Sequence, residues 1–264
     1  MYIVSGYLQK IISLIGIILC GGESSRMGSD KGLLLSGKHI TWAKLAHQKM
    51  AGLGLPVKIS VNETQLMSYS KSFPDDELLT DNQSLLFRGP LLGIMTSHLQ
   101  YPNEDLIVLA CDMPAMDPSV LQSLLVRLAA DPSGEAYVFT NNNEPEPLCA
   151  IYTARGLSVI YTMMIKGSIS RHSMKFILSQ LQVDAVPATE GQKKYFQKAK
   201  VYHVLTFKKP GGRRWQLEDE ARKKKDKGYN LCTLPMLEKA QPGFTDAFEQ
   251  RFVMTRLCDS FLLL

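Results

Sequence analysis

The chain has 264 residues, of which 45% are hydrophobic, so it can bury a substantial core and is not disordered as a whole. Its five cysteines form no CxxC pair, so they signal neither a disulfide framework nor a zinc site and favour a reducing cytoplasm. Residues 1–190 contain 14 Lys and Arg against 17 Asp and Glu, whereas residues 191–264 contain 16 against 8. The net charge of +5 therefore reflects the C-terminal segment and does not indicate a nucleic-acid-binding main domain.

Apolar runs of strand length recur along the first 190 residues. They lie at 14–20, 57–61, 106–111, 136–140, 148–152 and 183–186. Continuous apolar runs are typical of strands that are covered on both faces of a parallel sheet. The apolar stretch from residue 11 is too short to cross a bilayer and no cleavage site follows it, so we predict a strand there rather than a signal peptide.

Segments with a helical spacing of apolar residues alternate with these runs. They lie at 42–50, 91–99, 120–128, 157–165 and 173–181. Such alternation is typical of an α/β fold with a doubly wound, mostly parallel, Rossmann-like sheet, which binds ligands at the carboxyl ends of its strands. We predict one such domain over residues 12–190 and a basic C-terminal extension over residues 191–264, whose role the sequence leaves open.

The first predicted strand runs into a segment rich in glycine and basic residues. It reads Leu19-Cys20-Gly21-Gly22-Glu23-Ser24-Ser25-Arg26-Met27-Gly28-Ser29-Asp30-Lys31. Glycines let backbone N–H groups approach phosphate oxygens, and Arg26 and Lys31 could offset the charge of a triphosphate. The segment is neither a Walker loop nor a GxGxxG motif. On composition alone, a phosphate cradle and an ordinary strand–turn–helix connection remain equally good interpretations.

Polar and conformationally special residues follow the next predicted strand. Asn62 ends the strand at 57–61, a position at which an asparagine is usually a turn residue. Asp81 is followed by Gly89-Pro90, in which proline suits the first turn of a helix and glycine allows a close backbone approach. These residues are candidates for a nucleotide site, although Gly-Pro can also simply begin a helix.

Asp112 follows the buried strand at 106–111, together with Cys111. A carboxylate at that edge of the sheet can hold Mg²⁺ against phosphate oxygens, so Asp112 is the candidate metal ligand. The alternative role, an N-cap of the next helix, suits Asp117 better because it lies nearer that helix. We interpret Cys111 as a small buried hydrophobic residue rather than a nucleophile.

The spacing of these residues resembles that of the molybdenum cofactor guanylyltransferase family. That family opens with an apolar strand, a small residue, Gly-Gly, three residues, Arg-Met-Gly, one residue and Asp-Lys. Later segments of this chain resemble its Gly-Pro-Leu-x-Gly-Ile, Cys-Asp-x-Pro and Glu-Pro-Leu-x-Ala-x-Tyr motifs, so the likeness covers roughly residues 14–185. The resemblance implies a nucleotidyltransferase that transfers GMP from GTP to the terminal phosphate of molybdopterin, with Mg²⁺ as cofactor.

The resemblance also assigns roles to individual residues. The nucleotide-binding residues that it implies are Leu19, Cys20, Gly21, Gly22, Lys31, Asn62, Asp81, Gly89 and Asp112. The catalytic residues that it implies are Arg26, Lys31 and Asp112, with Asp112 as the metal ligand. Asp81 would pair with the guanine edge, because a carboxylate can accept hydrogen bonds from both N1–H and the N2 amino group. Glu146 and Arg171 are candidates for the acceptor side, where a structural strand position and a solvated arginine are the alternatives.

One family feature is absent from the sequence. The closing Asn-rich segment that helps the family to hold the pterin is not found after Ala185. Two other functions therefore stay open: a cytidylyltransferase that acts on molybdopterin or on a sugar or polyol phosphate, and a non-catalytic nucleotide- or cofactor-binding protein. The Gly21-Gly22 pair and Asp81 favour guanine over cytosine. The implied partners are GTP and molybdopterin, with molybdoenzymes or their chaperones as further candidates, and neither nucleic acid nor a membrane is expected.

Overall fold

The structure is a computed structural model that describes residues 13–21, 30–36 and 40–196, and the backbone of two further strands at Val201–Val204 and Asn230–Thr233. The chain divides into two compact units, Met1–Lys200 and Val201–Leu264. The first unit contains all the predicted strands and helices. None of the helices in the described part combines the length and the apolar character that crossing a bilayer requires.

A seven-stranded sheet forms the centre of the first unit. Its strands are β1 (Leu14–Leu19), β2 (Val57–Val61), β3 (Leu78–Thr80), β4 (Asp105–Ala110), β5 (Ala136–Asn141), β6 (Glu144–Tyr152) and β7 (Val183–Pro187). Their order across the sheet is β3-β2-β1-β4-β6-β5-β7. Strand β6 is antiparallel to both of its neighbours, and the other pairs are parallel. The carboxyl ends of six strands therefore meet the amino end of β6 at one edge.

Seven α-helices accompany the sheet in the described part of the chain. They are α1 (Trp42–Ala51), α2 (Glu63–Tyr69), α3 (Pro90–Gln100), α4 (Pro118–Ala130), α5 (Ala154–Ile165), α6 (Met174–Leu178) and α7 (Glu190–Lys193). Most of them begin at a side chain that accepts a hydrogen bond from the first turn: Thr41, Asn62, Asp117, Thr153 and Ser173. Helix α3 begins instead with Gly89, at φ 61°, and Pro90, so its start is fixed by backbone conformation.

The core lies on both faces of the sheet. Alternate residues of β1 point to opposite sides: Leu14 and Ile18 pack with residues of α1 and α4, whereas Ile15 and Ile17 pack with residues of α3 and α5. A strand that is buried on both sides explains why the sequence shows continuous apolar runs rather than alternation. The predicted doubly wound α/β architecture is confirmed.

Several elements differ from the sequence expectations. Strand β3 and helix α2 were not predicted, because β3 has three residues and α2 buries only Tyr69. Strand β6 begins at Glu144 rather than at residue 148, because its first residues are polar and partly exposed. The helix expected at 173–181 is limited to Met174–Leu178.

The second unit is described only by the backbone of two strands. Strands β8 (Val201–Val204) and β9 (Asn230–Thr233) form a parallel pair. This pair lies in the segment that the sequence assigned to a basic extension over residues 191–264.

Candidate nucleotide site

The predicted site residues of the described chain lie at one edge of the sheet. Cys20 and Gly21 follow β1, Asn62 follows β2, Asp81 follows β3 and Asp112 lies just after β4. The chain moves outward from β1 to β3 and then returns to β4 on the other side of β1, so the strand order reverses between β1 and β4. Crevices at such a reversal are the usual ligand sites of open α/β sheets.

An ion pair lies at this edge of the sheet. Lys31 Nζ lies 3.0 Å from Asp112 Oδ2, although the two residues are 81 positions apart in the chain. The lysine side chain is 33% exposed and the aspartate side chain 13%. A half-buried cation and a more deeply buried carboxylate are therefore presented together beside the end of β1. In such a pair the lysine can bind a phosphate and the carboxylate can bind the cation that accompanies it.

The second carboxylate oxygen of Asp112 is the candidate metal-binding atom. Its Oδ1 atom is buried and has no hydrogen-bond partner among the described residues. A buried carboxylate oxygen without a hydrogen-bond partner is costly, and a bound ion or a water molecule would satisfy it. The described part of the chain contains no group of three or more His, Cys, Asp and Glu that could hold a metal ion. A cation bound here would use the carboxylate of Asp112 and oxygens of phosphates and water, which are common ligands of Mg²⁺.

Asp81 is held at the base of the site by β2. Ser60 Oγ donates a hydrogen bond of 3.0 Å to Asp81 Oδ1, and the Asp81 amide donates to the Val61 carbonyl at 2.9 Å. Burial raises the pKa of the Asp81 carboxyl above its ordinary value, and the hydrogen bond from Ser60 offsets part of this effect. The carboxylate is thus oriented at a fixed place, with Oδ2 turned towards Gly21.

Two glycines make room for this arrangement. A Cβ on Gly21 would lie 3.0 Å from Asp81 Oδ2, and a Cβ on Gly93 would lie 2.3 Å from Ser60 Oγ. Only glycine therefore lets α3 pack this closely on β2, and the serine that orients Asp81 sits at this contact. Gly89 lies at the start of the same helix.

Asn62 has a structural task at the beginning of α2. Its Oδ1 accepts hydrogen bonds from the Gln65 amide at 3.0 Å and from Thr64 Oγ1 at 2.7 Å. Gln65 Oε1 in turn accepts from the Asn62 amide at 2.9 Å, which completes a capping box. The side-chain oxygen is thus engaged in the helix cap, so the side chain would contact a nucleoside through its Nδ2 amide nitrogen. Arg26 and Gly22 lie outside the described residues.

The acceptor-side candidates lie around the amino end of β6. The candidate Glu146 is the third residue of β6 and is partly exposed. Two residues before it, Glu144 forms an ion pair with Lys175 of α6, which joins the β5–β6 turn to that helix. Arg171 is exposed in the connection before α6. The ring of the neighbouring His172 lies 6.0 Å from that of Phe87, in the segment that leads to α3. The connection that carries Arg171 therefore packs beside the segment that carries Gly89.

The sequence analysis assigned no role to Asp30, Gln65 and Tyr69, which form a hydrogen-bond network beside Lys31. One signal was available, because Asn62 followed by Gln65 has the spacing of a capping box. A capping box would have predicted α2 and placed Tyr69 two turns along it. The contact with Asp30 had no local signal, since it joins residues 35 and 39 positions apart.

The chain is similar in sequence and in fold to known proteins. A family model described as a MobA-like NTP transferase domain matches residues 16–184. A probable molybdenum cofactor guanylyltransferase of Methanothermobacter thermautotrophicus is 30% identical over 152 residues, which are 57% of this chain and 76% of that protein. One of Flavobacterium johnsoniae is 31% identical over 167 residues, or 62% and 79%. The crystal structure of molybdopterin-guanine dinucleotide biosynthesis protein A from Archaeoglobus fulgidus has the same fold, with a TM-score of 0.52 at 20% identity, over 66% of this chain and 83% of that one.

Proposed function

Because the chain belongs to the MobA-like NTP transferase family, we propose that it transfers the GMP group of GTP to the terminal phosphate of molybdopterin. Relatives at 30% and 31% identity are named molybdenum cofactor guanylyltransferases, which supports this choice of substrates. The observation that carries the proposal is the pair of Lys31 and Asp112, joined at 3.0 Å where β1 and β4 end. It offers a cation for phosphates and a carboxylate for a divalent metal at one point.

The proposed reaction needs no protein nucleophile. An oxygen of the terminal phosphate of molybdopterin attacks the α-phosphorus of GTP and forms the new P–O bond. The bond from the α-phosphorus to the bridging oxygen breaks, and pyrophosphate leaves with that oxygen. The protein contributes position and charge: Lys31 contacts the phosphates of GTP, and the carboxylate of Asp112 would hold Mg²⁺. When bound, Mg²⁺ supplies positive charge that offsets the charge on the phosphate oxygens.

Asp81 supports guanine as the base. An ionised carboxylate that is held by Ser60 accepts hydrogen bonds from two neighbouring donors, which guanine offers at N1 and N2. Cytosine presents only one donor at its pairing edge, the N4 amino group. Gly21 leaves the space in front of Asp81 open, since a Cβ there would lie 3.0 Å from Oδ2. We therefore propose GTP rather than CTP as the donor, and a molybdoenzyme or its chaperone as the recipient of the product.

The direct test is incubation of the full chain with each labelled nucleoside triphosphate, Mg²⁺ and molybdopterin. Release of pyrophosphate together with a GMP adduct, formed from GTP in preference to the other triphosphates, would confirm the proposal. Faster formation of a CMP adduct would instead identify a cytidylyltransferase. Tight GTP binding without pyrophosphate release would identify a non-catalytic nucleotide-binding protein.

A further inference from the structure

The carboxylate of Asp30 is fixed by three donors. It accepts from the Gly32 amide at 2.9 Å, from Gln65 Nε2 at 2.6 Å and from the Tyr69 hydroxyl at 3.0 Å. The first of these caps the short 3-10 helix Lys31–Leu33, in which Lys31 is the first residue. The other two donors belong to α2. A carboxylate with three donors has little freedom to reorient, so Asp30 ties the start of this turn to α2.

Gln65 joins three separate parts of the chain through one amide group. Its Nε2 donates to the Cys20 carbonyl at 3.0 Å as well as to Asp30, and its Oε1 accepts from the Asn62 amide at 2.9 Å. Cys20 follows β1 and Asp30 precedes Lys31, so these residues bracket the glycine-rich segment of the sequence. Gln65 therefore sets the spacing between the entry and the exit of that segment.

Tyr69 holds the other side of Lys31. The residue is fully buried, and its hydroxyl oxygen lies 2.0 Å from the place where a Cβ on Gly32 would be. The hydroxyl thus fills the space of a missing side chain at position 32 while it donates to Asp30. Burial raises the pKa of this phenol, which keeps it protonated and therefore a donor.

From these contacts we propose that Tyr69 and Gln65 are positioning residues for Lys31. They act through Asp30 and Gly32, the residues on either side of Lys31, and so hold its backbone where its side chain reaches across to Asp112. This inference rests on the proposed function, in which Lys31 contacts the phosphates of GTP. Neither residue touches a substrate in this proposal. They restrict the motion of the Lys31 backbone and so keep its side chain near the phosphates.

The test compares two substitutions that each remove one buried phenol hydroxyl. Tyr69→Phe keeps the ring and removes a donor to Asp30. Tyr137→Phe is the matched control, because that hydroxyl donates to the Asp131 carbonyl at 2.5 Å, at the opposite edge of the sheet. Gln65→Leu, a substitution of similar size without the amide, tests the second positioning residue. Each variant is measured for melting temperature, for kcat and KM with both substrates, and for protection of Lys31 by GTP against an amine-reactive reagent, read by mass spectrometry.

We expect Tyr69→Phe and Gln65→Leu to lower kcat by about 10- to 100-fold, because displacement of a catalytic group by about 1 Å has effects of that order. KM for molybdopterin should stay unchanged, and GTP should no longer protect Lys31. Tyr137→Phe should lower only the melting temperature. If kcat and Lys31 protection in Tyr69→Phe match those in Tyr137→Phe, the positioning role is wrong. If the unmodified chain binds GTP but releases no pyrophosphate, the proposed function is wrong, and loss of Lys31 protection in Tyr69→Phe would still support the positioning role.

Discussion

Two carboxylates at the edge of the sheet differ in their surroundings, and their expected tasks differ with them. Asp112 faces the cation of Lys31 and keeps one buried oxygen without a partner in the described chain. Asp81 faces the neutral hydroxyl of Ser60 in a partly buried position. A carboxylate paired with a cation suits a metal and phosphates, whereas one held by neutral groups suits the neutral donors of a base.

The first residue-scale prediction concerns Asp112. Asp112→Asn should abolish turnover and leave the fold intact, because an amide keeps the shape but is a poor ligand for Mg²⁺. Pyrophosphate release and the melting temperature measure the two effects. Asp117→Asn is the matched control: this residue caps α4 by accepting from the Ser119 amide at 2.9 Å, and an asparagine can do the same. Full turnover in Asp112→Asn would show that Asp112 is not the metal ligand.

A second residue-scale prediction concerns base selection. Asp81→Ala should reduce the preference for GTP over CTP by roughly 1–3 kcal/mol, because the donors of guanine would be left without an acceptor. Calorimetric titration with both nucleotides measures this difference. The variant Ser84→Ala, which removes an exposed hydroxyl bonded to Asn82 Oδ1, should keep the preference. CTP as the best ligand of the unmodified chain would contradict the assignment of Asp81.

The raised pKa of Asp81 predicts a pH dependence of the same preference. The carboxyl must be ionised to accept two hydrogen bonds. The preference for GTP should therefore be lost as the pH falls through the raised pKa, which is at a higher pH than for an exposed aspartate. The contribution of Asp81 to the stability of the fold changes with pH in the opposite direction. The folded chain holds this proton more tightly than the unfolded chain, so the contribution of Asp81 is present at low pH and is lost as the pH rises through the raised pKa.

At the scale of helices and strands, the sequence predicted the elements that are buried on both faces. The runs at 14–20 and 106–111 correspond to β1 and β4 within one residue at each end. Helix α2 was missed because it has one buried residue, Tyr69, and no apolar stripe. The same reason explains the incomplete prediction of the site: strand ends carry a local signal, whereas the contacts of Asp30 with Gln65 and Tyr69 form only after the chain has folded.

The element-scale prediction concerns the contact between α3 and β2. Gly93→Ala should destabilise the fold by about 1–3 kcal/mol, because its Cβ would lie 2.3 Å from Ser60 Oγ in a packed interior. The displaced Ser60 should also release Asp81 and weaken GTP binding. Thermal unfolding and calorimetry measure both effects. Gly191→Ala is the control in α7, where an added Cβ meets nothing within 4 Å.

At the scale of the whole molecule, the candidate nucleotide site belongs to one unit of the chain. Lys31, Asp81 and Asp112 all lie within Met1–Lys200. That unit also includes Phe196, which is buried and whose ring lies 5.1 Å from that of Phe139 on β5. The predicted boundary near residue 190 would remove this aromatic contact, so a cut after Lys200 is the better test of independence.

A chain that ends at Lys200 should therefore fold and keep its affinity for GTP. Thermal unfolding and calorimetric titration of the truncated and full chains check this expectation. A chain that ends at residue 190 should melt at a lower temperature, because it loses the buried ring of Phe196. A folded chain ending at Lys200 that cannot bind GTP would place part of the nucleotide site after residue 200.

The reversed direction of β6 also has a consequence for the order of folding. Asn142 and Asn143, both with positive φ, join β5 to β6 as a tight hairpin, and such local pairing closes within microseconds. The pairing of β1 with β4 must wait for a much longer loop to close, since Leu14 pairs with Asp105. We therefore expect the β5–β6 half of the sheet to form early and the edge that carries Lys31 and Asp112 to form late. GTP would then bind only after the last pairing step, so it would slow unfolding without accelerating the early stages of folding.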